Sequence, residues 1–334
     1  MIDDHGEILH EATVPTDVTK VHREIRFIKR RKFARVCLEA GPGLSLARGL
    51  GKLGYKVDIF ETRQLSKFLS VRRNKTDILD AAGIAEAGRV AGSVISKVHL
   101  KSQECQEIGS RLTIRRHLVQ ARVRAINLLG RQLEYYGGRI SACRSPAQLR
   151  LRVEAQIRLL FGRTPNALAM ELRELLRRCE ELLEQQQRMD RDLHRLAWST
   201  DICRRLMAIP GVGPICALTF YAVISEPKRF RKSADIGPYL GMVPLVRQSG
   251  LAIRMGRISK MGNTTIRTLL VQAGITFLRC TEPTSALHAW TKRVEQRSGR
   301  MRSRIALARK LAMIMVAIWK SGGAYEHKLI ATEA

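Results

Sequence analysis

Three acids and one serine stand out for the chemistry their types and spacing allow. Glu39 closes a strand-like run, and Asp77 and Asp80 lie three apart on a segment of helical character, so both carboxylates project from one helix face. A strand-end acid facing a helical DxxD pair is a way to hold Mg2+, a hard cation that takes oxygen ligands. Two such ions clamp the attacking and leaving oxygens of a phosphodiester. Helical DxxD pairs are common and usually solvated, but Arg72, Arg73 and Lys75 stand immediately before Asp77 and add cations suited to a phosphate backbone. Ser249 precedes Gly250 in what reads as a flexible loop, and Arg254, Arg257, Lys260 and Arg267 follow, with no His or Asp placed as its base. A hydroxyl among arginines is poorly arranged for peptide hydrolysis. It is well arranged to attack a phosphate whose developing charge those cations stabilise. A Ser-Gly turn within a basic loop is the plainer reading, and spacing alone favours it.

A third pattern is Ile209-Pro210-Gly211-Val212-Gly213-Pro214, set between two apolar segments. It has the form of a helix-hairpin-helix, in which Gly211 and Gly213 let backbone N–H groups approach a phosphate at the second helix's N-terminus. The alternative is an ordinary tight turn between packed helices.

Composition limits what these residues serve. The 334 residues, 45% hydrophobic, suffice for about two domains and a real core. Lys and Arg number 59 against 30 Asp and Glu, a net charge of +29, which points to a polyanionic partner: nucleic acid first, anionic membrane second. The longest apolar run near the C-terminus, Leu311 to Trp319, lies between Lys310 and Lys320 and is far short of the roughly 20 residues a bilayer span needs. The N-terminus has no signal-peptide pattern. The seven cysteines are scattered without a CxxC pair, which signals neither zinc nor a disulfide scaffold and suits a reducing cytoplasm.

Positioning elements follow from the same text. A turn at Asp3 to Gly6 leads into a strand over 6–14, then come a strand at Phe33–Glu39, a helix at Leu44–Leu53, a strand at Lys56–Phe60, a helix at Asp77–Val90 and a strand at Ser93–His99. This is a compact α/β domain over residues 1–100. Residues 101–199 read as helical. Arg111, Arg115, Arg116, Arg122, Arg124 and Arg131 are interleaved with the apolar positions of the first stretch, either a solvated face or a phosphate-tracking one. A second long helix starts at Thr164-Pro165-Asn166, with the composition of a helical hairpin or coiled coil and of a dimer contact. Residues 200–322 form a mainly α C-terminal unit, and 323–334 a tail.

The order of these motifs resembles the DEDD-type transposases of bacterial insertion sequences, the "IS one-ten" family. The matching stretches are Lys75 to Ala81, Ile209 to Pro214, Tyr239 to Pro244, Gln248 to Gly250, Gly256 to Asn263 and Ala306 to Ala312. The resemblance implies an RNase H/RuvC-like N-terminal domain whose four acids bind Mg2+, a coiled-coil region, and a C-terminal transposase domain with a nucleophilic serine. It further implies a cytoplasmic, nucleoid-associated, homo-oligomeric recombinase acting on element ends and target DNA, with a structured bridge RNA as guide. By position Glu39 corresponds to the second acid, Asp77 to the third, Asp80 to the fourth, and Ser249, rather than Ser259, to the nucleophile. One departure stands out: the family opens on a strand carrying the first acid, and this sequence starts at the turn after it. The implied N-terminal domain therefore lacks its first strand. Two other readings fit the residues: a metal-dependent nuclease of branched DNA, and a non-enzymatic, basic helix-hairpin-helix nucleic-acid-binding protein.

Overall fold

The structure, a computed structural model, describes residues 1–27, 35–41, 43–70, 76–90, 94–143, 145–162, 166–250 and 252–326. Arg72, Arg73 and Lys75 lie outside the described residues. The chain is mostly helical and divides into two compact units, Met1–Leu100 and Lys101–Ala334.

In the first unit the acidic turn forms as its sequence dictates. The Asp3 carboxylate accepts from the backbone N–H groups of His5 and Glu7, each at 2.9 Å, and Gly6 takes the positive φ of +92°. The strand expected over 6–14 reduces to one antiparallel bridge, Ile2 to Ile8, and that expectation is corrected. A strand persists only where a neighbouring backbone accepts and donates along its length. Among the described residues this segment has such a partner only at Met1 to Asp3. Helix α1 (Val18–Phe27), which the strand and turn signals do not announce, packs Val18 onto Gly49 of α2 (Leu44–Lys52) so closely that a Cβ there would lie 2.3 Å from the valine. Strands β1 (Val36–Glu39) and β2 (Val57–Phe60) pair in parallel, Val36 opposite Val57. Helix α3 (Thr62–Leu69) is capped by Glu61, and α4 (Asp77–Val90) matches the expected helix at both ends. The strand expected over 93–99 is another single bridge, Phe60 to Lys97, on the far edge of β2. Phe60, Leu65, Ala87 and Ile95 form the core. Among the described residues the sheet is two strands wide, and a cavity of about 550 Å³ lined by Ile2, Leu9, Ile25, Val36, Cys37 and Gly88 lies beside β1.

Asp58 holds this unit together electrostatically. Its buried Oδ2 accepts from Arg35 at 2.8 Å and Lys97 at 2.9 Å. Burial alone would raise the carboxyl; the hydrogen bonds and charges of Lys97 and Arg35 outweigh it and hold the group below its ordinary value. A depressed folded-state value contributes stability that is present above the unfolded pKa, about 4, and lost as pH falls through the lower folded one. Asp58→Asn leaves two cations facing a neutral amide. We expect it to cost about 1–3 kcal/mol, reduced from the fully buried case because both cations are part-exposed. Amide exchange at β1 and β2 in the full-length chain, corrected for the intrinsic rate at each pH, measures this: the wild type loses protection below about pH 4, and the variant is already less protected at neutral pH.

The second unit begins with α5 (Gln103–Glu134), capped by Ser102, then α6 (Pro146–Phe161), capped by Ser145, and α7 (Ala167–Ser199), capped by Asn166. These helices pack on one another about Leu129, Leu133, Leu149, Ile157 and Leu176, and Arg150 grips the buried Glu180 with two bonds of 2.8 Å. The long helix expected from Asn166 thus buries its apolar face within its own chain. Helices α8 (Asp201–Met207), α9 (Pro214–Ile224) and α10 (Ile236–Tyr239) follow, then strands β3 (Pro244–Ser249) and β4 (Ala252–Ile258), and helices α11 (Thr264–Cys280), α12 (Ala286–Ser298) and α13 (Arg300–Ser321). Leu206, Phe220, Phe277, Leu311 and Met315 are fully enclosed in the core they share. Among the described residues no helix is long and apolar enough to cross a membrane.

Candidate active site

Ser249 lies at the tip of a β-hairpin, which corrects the expected flexible loop. β3 and β4 are antiparallel, with Ser249 opposite Ala252, Gln248 opposite Ile253 and Val246 opposite Met255. Gly250 follows Ser249 with φ +57°, the conformation that primed hairpin turns require and glycine adopts freely. Ser249 is exposed, and the register puts it on the same face of the ribbon as Arg254, with Met255 on the opposite face; the register shifts between the Val246 and Pro244 pairs, and Arg257 lies in that irregular stretch of β4. Arg254, Arg257 and Lys260 are exposed and have no ion-pair partner among the described residues. No acid or histidine occurs between Leu240 and Asn263. Ser259 sits at the hairpin's base: it is half-buried, its N–H donates to Val243 O at 2.8 Å and its hydroxyl accepts from Met261 N at 3.5 Å.

The base is clamped to the helical body by two glycines. A Cβ on Gly241 (φ +65°) would lie 2.0 Å from Met261 O, and one on Gly262 (φ +88°) would lie 2.4 Å from Tyr239 O. The two segments therefore touch backbone to backbone, with Leu240 and Met242 buried beneath them. Arg267 completes the joint. Its Nη1 donates to the carbonyls of Leu240, Met261 and Gly262 at 3.0–3.2 Å, and its Nη2 to Thr264 Oγ1. Sequence alone makes Arg267 a phosphate ligand; the structure engages its guanidinium with carbonyl oxygens, which suits it to hold the hairpin in place.

The glycines of the Ile209–Pro214 turn differ from one another. Gly211 (φ +85°) presses on α11, where a Cβ would meet Ala273 O at 2.3 Å and Phe277 N at 2.7 Å, and Val212 is buried. Its lack of a side chain serves helix packing. Gly213 is exposed and faces open space at the start of α9.

The acids lie in the first unit. Glu39 is exposed at the C-terminal end of β1, and Asp77 and Asp80 occupy the first turn of α4, where carboxylates suit the helix dipole. The contact between α4 and β1 runs through Gly88, whose Cβ would lie 2.2 Å from Cys37 Sγ, about 12 Å of helix rise beyond Asp80. Among the described residues no three His, Cys, Asp or Glu side chains gather to hold a metal ion, so Glu39, Asp77 and Asp80 do not form a ready-made Mg2+ centre. The buried thiols are poor nucleophiles: burial pushes Cys179 up to about 11, and Cys203 and Cys216 up to about 12.

Two family models match parts of the chain. Residues 1–137 match a family model described as a DEDD-type IS110 transposase, and residues 203–289, which contain the hairpin, match the transposase model of the IS116/IS110/IS902 family. A transposase for insertion sequence element IS1111A from Coxiella burnetii is 29% identical over 321 residues, covering 95% of this chain and 85% of that protein. A probable family 20 transposase from Pseudomonas aeruginosa is 29% identical, covering 94% and 92%. A transposase for element IS1328 from Yersinia enterocolitica is 28% identical, covering 83% and 80%. With one family model over its acid-bearing N-terminal unit, another over the serine hairpin, and full-length relatives, this chain belongs to the IS110/IS116/IS902 family of insertion-sequence transposases.

Proposed function

We propose that the chain cleaves and rejoins DNA at the ends of its element through the Ser249 hydroxyl. The observation that carries this reading is the hairpin: a serine at an exposed tip, cations on the same ribbon, and a base locked by Gly241, Gly262 and Arg267. In the step, Ser249 Oγ bonds to a backbone phosphorus as one P–O bond to the sugar breaks. The serine proton leaves to solvent, the departing sugar oxygen takes up a proton, and one strand end is left as a phosphoserine diester. One phosphodiester replaces another, so the step is close to neutral in energy and reverses when a DNA hydroxyl attacks the phosphoserine. Arg254, with Arg257 and Lys260 nearby, stabilises the charge that grows on the phosphate oxygens.

Glu39, Asp77 and Asp80, with Arg72, Arg73 and Lys75, belong to this reading as the acids and cations of an RNase H/RuvC-like unit that depends on a divalent ion, Mg2+. Because the described acids do not gather, each step above is assigned to side chains of the second unit. A structured guide RNA and homo-oligomeric assembly complete the proposal; the charge of +29 supports the first, since it exceeds what a short DNA site neutralises.

The test is to incubate the full-length protein, with the RNA that copurifies, with labelled duplex spanning each element end over a Mg2+ series, and to run denaturing gels. The expected result is a protein–DNA adduct that survives denaturation and proteolyses to a phosphoserine peptide containing Ser249. Cleavage without an adduct would transfer the chemistry to metal-activated water, as in a branched-DNA nuclease. Salt-dependent binding with neither would leave a nucleic-acid-binding protein.

A further inference from the structure

The arginines of α5 are set apart from those of its neighbour by what they face. On α7 the six arginines are interleaved with seven acids, and three of them are paired: Arg173 with Glu154, Arg177 with Glu174 and Glu181, and Arg195 with Asp192. That is the pattern of a solvated helix face. From Ile108 to Leu133 α5 contains six arginines, one histidine and no acid. Of these only Arg115 has an ion-pair partner among the described residues, Asp190 of α7. Arg124 and Arg131 are exposed and lie two turns apart on one line with His117, with Arg116 on its flank. An unbalanced row of this kind repels itself along the helix, a cost that a row of phosphates would reverse.

The row also leads somewhere. Arg116 Nη1 donates to Thr265 Oγ1 at 2.7 Å, which joins α5 to the first turn of α11 immediately after the hairpin's base. Between Ile108 and Leu133 there is no Phe, Trp or Tyr. A surface that takes unpaired bases stacks them on aromatic rings; this one offers charge alone, which suits a backbone whose bases are already paired.

We propose that the Arg116–Arg124–Arg131 face of α5 is a track for the phosphate backbone of duplex DNA, and that it leads the duplex to the base of the Ser249 hairpin. The assignment to DNA rests on the reading of that hairpin as the DNA-reacting element.

The test uses the full-length protein carrying Arg124→Gln with Arg131→Gln, two exposed positions without ion-pair partners among the described residues, and measures anisotropy of a labelled 30-base-pair duplex DNA over a salt series. Each lost phosphate contact lowers the slope of log K against log salt by about 0.9, so the double variant should lose about 1.8 and bind roughly ten- to a hundredfold more weakly at 0.1 M salt. Arg124→Lys with Arg131→Lys keeps the charges and should restore most of the slope, which excludes a folding defect. Arg177→Gln with Arg195→Gln on α7 should leave the slope unchanged. An unaltered slope in the α5 double variant overturns the proposal, as does a loss seen with duplex RNA of the same length and not with DNA. If the α5 slope falls while Ser249→Ala still forms the adduct, the track stands and the serine reading fails.

Discussion

Ser249→Ala should abolish the protein–DNA adduct, a loss of at least about 10⁴-fold, while binding to the same duplex changes by less than about twofold. The asymmetry follows from the position. The side chain is exposed at a hairpin tip and its hydroxyl makes no hydrogen bond among the described residues, so neither the fold nor the electrostatic grip should depend on it. Ser259→Ala is the paired control. That hydroxyl accepts one long bond from Met261 N, worth well under about 1 kcal/mol, and the residue's firm contact, N–H to Val243 O, belongs to the backbone. The adduct should therefore persist in Ser259→Ala at close to the wild-type rate. Adduct formation by Ser249→Ala, or its loss in Ser259→Ala with folding intact, would move the nucleophile from the tip of the hairpin to its base.

Much of the helical framework is legible in the sequence because its signals are local. Asn166 caps α7 where expected, and α4 runs from Asp77 to Val90 as the acids and apolar residues specify. The hairpin is legible in principle. Pro244 to Ser249 and Ala252 to Ile258 are two runs containing Val and Ile around a Ser-Gly, a hairpin signal that the surrounding glycines and arginines mask as a loop. What spacing cannot reveal is the partner of a close approach. Gly211 reads equally well as a phosphate contact or a packing contact, and the decision lies with Ala273 and Phe277, some sixty residues further on. The acids pose the same difficulty. Helical periodicity puts Asp77 and Asp80 on one face, but whether Glu39 joins them depends on how α4 crosses β1, and that crossing is fixed at Gly88 by its contact with Cys37. Arg267 shows the limit on the polar side: a guanidinium in a basic loop reads as free for phosphate until the three carbonyls it serves are seen.

Gly241→Ala should be the most disruptive single-methyl change in the second unit. A non-glycine residue at φ +65° costs of order 1 kcal/mol in backbone strain alone. The greater cost is steric. The added Cβ would lie 2.0 Å from Met261 O and 2.4 Å from Met261 N, and these are backbone atoms that cannot rotate away. The Lys260–Gly262 segment must shift, which breaks Lys260 N–H to Gly241 O and the Arg267 bonds to Met261 and Gly262. We expect a total of about 3–4 kcal/mol, and in a unit of this size about 6–15 °C off its thermal transition. Gly250→Ala isolates the strain from the clash: its φ of +57° is as unfavourable, but nothing lies within 4 Å of the new methyl, so about 1 kcal/mol and a small shift should follow. Calorimetry on both variants separates the contributions. If the two melt alike, the backbone contact under the hairpin does not hold it. If Gly241→Ala also forms the adduct at the wild-type rate, the seating of the hairpin has no part in presenting Ser249.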